Sequence, residues 1–124
     1  MDENLSRDLP KTDFVFDTAA FLTLESVYLL ERALESFSIV TTTSVIEELG
    51  EFAQYDDELG IIAKRTLKLK HLFSIEDSPI KNKLKYVSMT DEEVYNFSLL
   101  KNIPLITDDT KLIHHTKGKI RRAF

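Results

Sequence analysis

The sequence predicts a three-layer α/β domain with a mainly parallel central sheet, and three observations carry that prediction. Short apolar runs without alternation, Phe14-Val15-Phe16 and Ile103-Pro104-Leu105-Ile106, read as strands buried on both faces. The segments between such runs carry helical period. The order strand, helix, strand, helix, helix, strand then requires crossover connections, which place helices on both faces of a parallel sheet.

The elements follow in order. Phe14-Val15-Phe16 ends at Asp17 as the first strand. From Ala19 the spacing predicts one helix whose stripe is Phe21, Leu24, Tyr28, Leu30, Leu34 and Phe37, with Glu25, Arg32 and Ser36 on the solvent side. Ser38-Ile39-Val40-Thr41-Thr42 is rich in β-branched residues and reads as the second strand. Ser44-x-x-Glu47 fits a capping box, and Val45, Ile46, Leu49 and Phe52 form the apolar face behind it. A third helix is expected over about Asp57 to Lys70 with its bases outward, then a weaker strand over His71 to Ile75. Thr90-x-x-Glu93 opens another helix to about Leu100, followed by the Ile103–Ile106 strand. A short helix over Lys111 to Thr116 and a strand around Ile120 complete the expectation.

At 124 residues the chain suffices for one domain, with an N-terminal extension over residues 1–12 and a folded domain over 13–124. Cysteine is absent, which excludes disulfides, thiolate zinc sites and cysteine nucleophiles. No apolar stretch is long enough to span a bilayer, and residues 1–12 lack the apolar block of a signal peptide. A soluble cytoplasmic protein is the expectation. The net charge of −5 excludes a uniformly basic nucleic-acid coat, yet the charge is segregated. Met1 to Glu58 is strongly acidic, Leu59 to Ser88 is basic, and Thr110 to Phe124 carries five bases and no acid.

Ligands of open parallel sheets bind beyond the carboxyl ends of the strands. Four acidic positions fall at that edge: Asp17 after the first strand, Glu47 or Glu48 after the second, Asp91 at the start of a later helix, and Asp108-Asp109 after Ile106 and Thr107. Carboxylates crowded together repel unless a cation neutralises them, and all-oxygen sites suit Mg²⁺ or Mn²⁺. Such ions support phosphoryl chemistry. The structural alternative is that Asp91 and Asp109 only favour helix N-termini, and that Glu47 only completes its capping box. His114 and His115 are adjacent and diverge on a helix, and His71 stands alone, so the histidines offer no matching site.

These residues resemble the PIN-domain family. Phe14-Val15-Phe16-Asp17-Thr18-Ala19-Ala20-Phe21-Leu22 resembles its opening motif, and Thr42-Thr43-Ser44-Val45-Ile46-Glu47-Glu48-Leu49 its second. Thr90-Asp91 resembles the third acidic position, and Leu105-Ile106-Thr107-Asp108-Asp109 the closing Thr-x-Asp. The resemblance implies a parallel-sheet fold and a Mg²⁺- or Mn²⁺-dependent endoribonuclease, of the toxin or the rRNA-maturation branch. It implies the acidic quartet Asp17, Glu48, Asp91 and Asp109. Asp17, Asp91 and Asp109 would ligate the metal, and Glu48 would orient water or hold a second ion. Glu48 is preferred to Glu47 because it directly precedes Leu49 and because Glu47 is taken by its capping box; Glu47 and Asp108 stay auxiliary, and Thr107 would hold the turn by hydrogen-bonding backbone or a carboxylate. Cleavage would leave a 5′-phosphate and a 3′-hydroxyl. The implied partners are an RNA substrate and an antitoxin or ribosome-assembly protein; separately, a domain this small with exposed apolar helix faces is a candidate homodimer.

An acidic nuclease must still grip a polyanion. Lys64, Arg65, Lys68 and Lys70 on one helix, Lys81, Lys83 and Lys85 beyond it, and Lys119, Arg121 and Arg122 near the end are the candidate phosphate contacts. Tyr86 and Tyr95 are candidates for base stacking, against the commoner fate of core packing. The alternative function is a catalytically weak PIN-fold module that binds RNA or serves as a protein scaffold. Hydrolases of the haloacid type are disfavoured, because Asp17-Thr18-Ala19 lacks their second acid.

Overall fold

In a computed structural model, residues 11–77 and 89–107 are described, with side chains described from 92 onward in the second stretch. Four strands, β1 (Asp13–Phe16), β2 (Ser38–Thr42), β3 (Ser74–Glu76) and β4 (Leu105–Ile106), form one wholly parallel sheet in the order β3-β2-β1-β4. Among the described residues the helices are α1 (Thr18–Ser26), α2 (Leu30–Ser36), α3 (Thr43–Phe52), α4 (Glu58–Leu67) and α5 (Met89–Lys101). A 3₁₀ turn over Lys70–Leu72 precedes β3.

The strand sequences are apolar because both faces of the sheet are covered. On one face the Phe16 ring meets Phe21 of α1 edge-on at 5.2 Å, and Phe14 meets Phe37 at 5.3 Å. Side chains alternate along a strand, so Val15 points the other way, where the register aligns it with Val40 and Leu105. All three are buried. Each such side chain removed from water contributes roughly 1.5–3 kcal/mol. The architecture is three-layer α/β/α.

The single helix expected from Ala19 to Phe37 is two helices. Val27 ends α1, Tyr28 takes the left-handed conformation with φ 62°, and the chain turns. The Tyr28 N–H donates to the Glu25 carbonyl at 3.0 Å and the Leu29 N–H to that of Leu24 at 2.9 Å, a Schellman closure of the helix. A tyrosine gives no local signal for that turn, since glycine is the usual occupant. The break undoes the expected stripe: Phe21, Leu30 and Leu34 are buried, but Tyr28 and Phe37 are exposed. Glu25, expected in solvent, is buried. The same closure recurs after α5, where Asn102 at φ 54° and Ile103 donate to the carbonyls of Leu99 and Ser98.

Other boundaries moved less. β2 spans Ser38–Thr42 as expected. The Ser44–Glu47 capping box does not form, because the strand runs directly into a helix that begins at Thr43 with Thr42 as its N-cap. Asp57 caps α4 instead of lying inside it, its Oδ1 accepting the Gly60 N–H at 2.8 Å. Gly60 is required by the packing of α4 on α3, because a Cβ there would collide with the carbonyl oxygens of Tyr55 and of Phe52, the latter at 2.8 Å. β3 is shorter and later than expected, since the 3₁₀ turn takes up His71 and Leu72. Pro104 has no N–H, and β4 is confined to Leu105–Ile106, although the Pro104 carbonyl accepts from Val15 at 2.9 Å. Helix α5 already includes Met89, so Thr90 sits inside it rather than at a capping-box position. The elements expected after Lys111 lie outside the described residues. No helix among the described residues is long and apolar enough to cross a membrane.

Candidate active site

Asp17 follows the last residue of β1, still extended at φ −91° and ψ 179°, and is the N-cap of α1. Its Oδ1 accepts the Ala20 N–H at 2.8 Å, and its Oδ2 accepts the hydroxyl of Thr107, the residue after β4. Both residues are fully buried, Asp17 at 0% and Thr107 at 1% exposure. A buried carboxylate is costly unless hydrogen bonds or a cation offset the lost hydration. Among the described residues, a donor in the first turn of α1 and one just past β4 hold it in one orientation.

The register brings these side chains together. Val15 is level with Val40 on one side and Leu105 on the other. Two residues further along, past the carboxyl ends of the strands, the same alignment sets Asp17 between Thr42 and Thr107, on one face of the sheet. Thr42 is in turn level with Glu76 of β3. A polar row, Glu76-Thr42-Asp17-Thr107, therefore crosses the C-terminal edge of all four strands. Thr41, pointing to the other face, donates its hydroxyl to the Phe16 carbonyl at 2.6 Å.

Two hydroxyls on this edge are buried without a hydrogen-bond partner among the described residues: Oγ1 of Thr42, at 0% exposure, and Oγ1 of Thr18, at 6%. Thr42 does not cap the helix it precedes. The next hydroxyl, that of Thr43, donates to Asp77. Buried polar groups are nearly always satisfied, so two orphans at the strand end that carries Asp17 are hydrogen-bonding capacity that the described fold leaves unused.

Glu48 is half-buried in the second turn of α3, and Glu47 beside it is exposed. Asp91 lies in the first turn of α5, with its side chain outside the described residues, as are Asp108 and Asp109. Among the described residues no three His, Cys, Asp or Glu side chains form a group able to hold a metal ion. Of the quartet only Asp17 and Glu48 have described side chains. The ligating atoms on the edge, from carboxylates and hydroxyls, are all oxygen, the kind that hard divalent cations such as Mg²⁺ or Mn²⁺ prefer. A cleft of about 240 Å³ lies at the opposite edge of the sheet, where Lys11, Ser38, His71 and Ser74 line it, with no carboxylate among the described residues.

Lys64 on α4, Lys68 at its C-cap and Lys70 beyond it are exposed, and Lys64 pairs with Asp56 at 3.2 Å. Arg65 is differently occupied. Its Nε donates to Glu25 Oε2 at 2.7 Å and its Nη2 to the Glu25 carbonyl at 3.0 Å, and the guanidinium lies 4.3 Å from the Tyr28 ring centre. The hydrogen bond to Glu25 raises the Arg65 pKa above its usual value. Arg65 thus closes the α1–α2 corner, and reaching a phosphate requires breaking that bridge. Tyr95 is buried in the core, and burial pushes its phenol pKa up. Lys81, Lys83, Lys85, Tyr86, Lys119, Arg121 and Arg122 lie outside the described residues. Sequence reasoning overlooked Thr18 and Thr42 as individual side chains, and the signal available for Thr42 was a run of hydroxyl residues where a strand meets a helix.

Neither a family sequence model nor a curated protein sequence matches this chain. Solved structures do match. PAE2754 from Pyrobaculum aerophilum superposes with a TM-score of 0.64 at 19% identity, covering 89% of this chain and 83% of its own. SSO1118, a PilT N-terminus domain protein from the archaeon Sulfolobus solfataricus P2, superposes with a TM-score of 0.59 at 16% identity, covering 86% of this chain and 81% of its own. At such identities the likeness is one of fold, and the fold of this protein is PIN-like, that of a PilT N-terminus domain.

Proposed function

We propose that the protein is a Mg²⁺- or Mn²⁺-dependent endoribonuclease that hydrolyses RNA phosphodiester bonds at the C-terminal edge of its sheet. The observation that supports this reading best is the fully buried Asp17, held by the Ala20 N–H and the Thr107 hydroxyl at the edge where ligands of parallel sheets bind. Asp17, Asp91 and Asp109 would hold the ion, with Asp108 as an auxiliary acid and Glu48 reaching the site from α3. When bound there, a divalent cation neutralises phosphate charge and lowers the pKa of a nearby water. The chain's own work is positional. Thr107 fixes the rotamer of Asp17, and the Ala20 N–H fixes its second oxygen.

Lys64 and Lys68 supply sequence-independent phosphate contacts. RNA is the substrate in this reading, and an antitoxin or a ribosome-assembly protein the partner class. The test is calorimetric titration with Mn²⁺ alongside cleavage of a single-stranded RNA. Wild type is expected to bind and cleave, Asp109→Asn to lose affinity, and Asp17→Asn to lose cleavage. Undiminished cleavage by pure Asp17→Asn protein discards the mechanism.

A further inference from the structure

Thr42 has a hydroxyl that the described fold does not use. It is fully buried, has no hydrogen-bond partner among the described residues, and does not cap α3, whose first turn contains no acidic residue. The first turn of any helix leaves backbone N–H groups without partners inside the helix, and its N-terminal end carries partial positive charge. The strand register sets Thr42 next to Asp17, on the same face of the sheet. An unspent hydroxyl donor, helix N–H donors and a carboxylate are thereby brought together at one strand end. The carboxylate favours a cation; the donors favour an anion. Asp77, which accepts from Thr43, lies after β3, on the other side of Thr42 from Asp17.

We infer that the Thr42 hydroxyl donates to a non-bridging oxygen of the scissile RNA phosphate, holding it between the N-terminus of α3 and the cation at Asp17. This rests on the nuclease reading above. Stability alone does not account for a threonine here: a buried hydroxyl without a partner is destabilising, and an isosteric valine would not carry that penalty.

The test compares wild type, Thr42→Val and Thr42→Ser in the full chain. Three quantities are read: the urea midpoint without metal, Mn²⁺ affinity without RNA, and kcat and KM for Mn²⁺-dependent cleavage of a single-stranded RNA. Thr42→Val is expected to match or exceed wild type in stability, keep its Mn²⁺ affinity, and lose about a hundredfold in kcat, the scale of one lost oxyanion donor. Thr42→Ser is expected to recover most of that loss. A less stable or unfolded Thr42→Val protein means that the hydroxyl is structural and overturns the inference. So does a fall in Mn²⁺ affinity that matches the fall in kcat, which assigns the hydroxyl to the cation. Wild-type cleavage with an unchanged Thr42→Val rate sinks this inference alone; a wild-type protein that does not cleave sinks the nuclease reading and this inference together.

Discussion

Two buried polar regions of this protein are built in opposite ways. At the α1–α4 contact, Glu25 is buried, and Arg65 meets both its carboxylate and its carbonyl while Tyr28 covers the guanidinium. At the C-terminal edge of the sheet, Asp17 is also buried and hydrogen-bonded, but the hydroxyls of Thr18 and Thr42 beside it have no partner among the described residues. The first region is complete within the chain. The second has donors to spare. Burial of charge alone therefore does not single out a candidate site; unspent hydrogen-bonding capacity does.

The comparison can be broken most sharply at Asp17. Asn retains the capping oxygen for the Ala20 N–H, so Asp17→Asn is expected to keep the fold and abolish Mn²⁺-dependent RNA cleavage, as read by a gel assay and a urea curve. Asp17→Ala also loses the cap and about 0.5–2 kcal/mol of stability with it. Next in size, Thr107→Val removes a hydrogen bond to a proposed metal ligand. Calorimetry is expected to show Mn²⁺ affinity reduced roughly 10- to 100-fold, with Thr107→Ser close to wild type. An unchanged affinity would separate Thr107 from the site.

At the other region the effect falls on stability and not on cleavage. Arg65→Ala strands the buried Glu25 and is expected to lower the urea midpoint by more than Lys64→Ala, whose bridge to Asp56 is exposed. Adding Glu25→Gln to Arg65→Ala is expected to restore part of the loss, which identifies the stranded charge as its cause. Should Arg65→Ala instead weaken RNA binding at full stability, the contrast between the regions collapses.

The smallest effect concerns Tyr95 and appears only in alkali. Burial raises its pKa above the usual 10.0, so the folded state holds the proton after the unfolded state has released it. The neutral phenol is the form the fold accommodates, and as pH rises past 10 the unfolded state gains by ionising while the folded state does not. Stability is therefore unaffected below pH 10 and declines as pH rises through the raised folded value. Above pH 10 the urea midpoint of wild type is expected to fall faster than that of Tyr95→Phe, with parallel curves at neutral pH.

Much of the frame was legible because it rests on local pattern. β2 and the position of Asp17 at the end of β1 follow from β-branched and apolar runs that read the same in any context. The break at Tyr28 did not show, because a tyrosine in the left-handed region is stabilised from outside, by Arg65 stacked on its ring. Glu25 looked like a solvent residue for the same reason: its partner is 40 residues away. The Ser44–Glu47 capping box was a plausible local motif overridden by where β2 ends.

Within the candidate site, Asp17 could be picked out from the chain, since a carboxylate directly after a buried apolar strand stands where ligands of parallel sheets bind. Its environment was legible only in part: Thr107 is expected to bond backbone or a carboxylate, but that the carboxylate is that of Asp17, and that Thr42 sits level with it holding an unused hydroxyl, depends on the register of three parallel strands. The sequence by itself determined β1 and β2, the alternation of strands with helices, and the acid that follows β1, because propensity and burial pattern act over a few residues. Tertiary structure alone decided which polar side chains are satisfied and which are left over, because pairing across strands and helices brings together groups up to 90 residues apart.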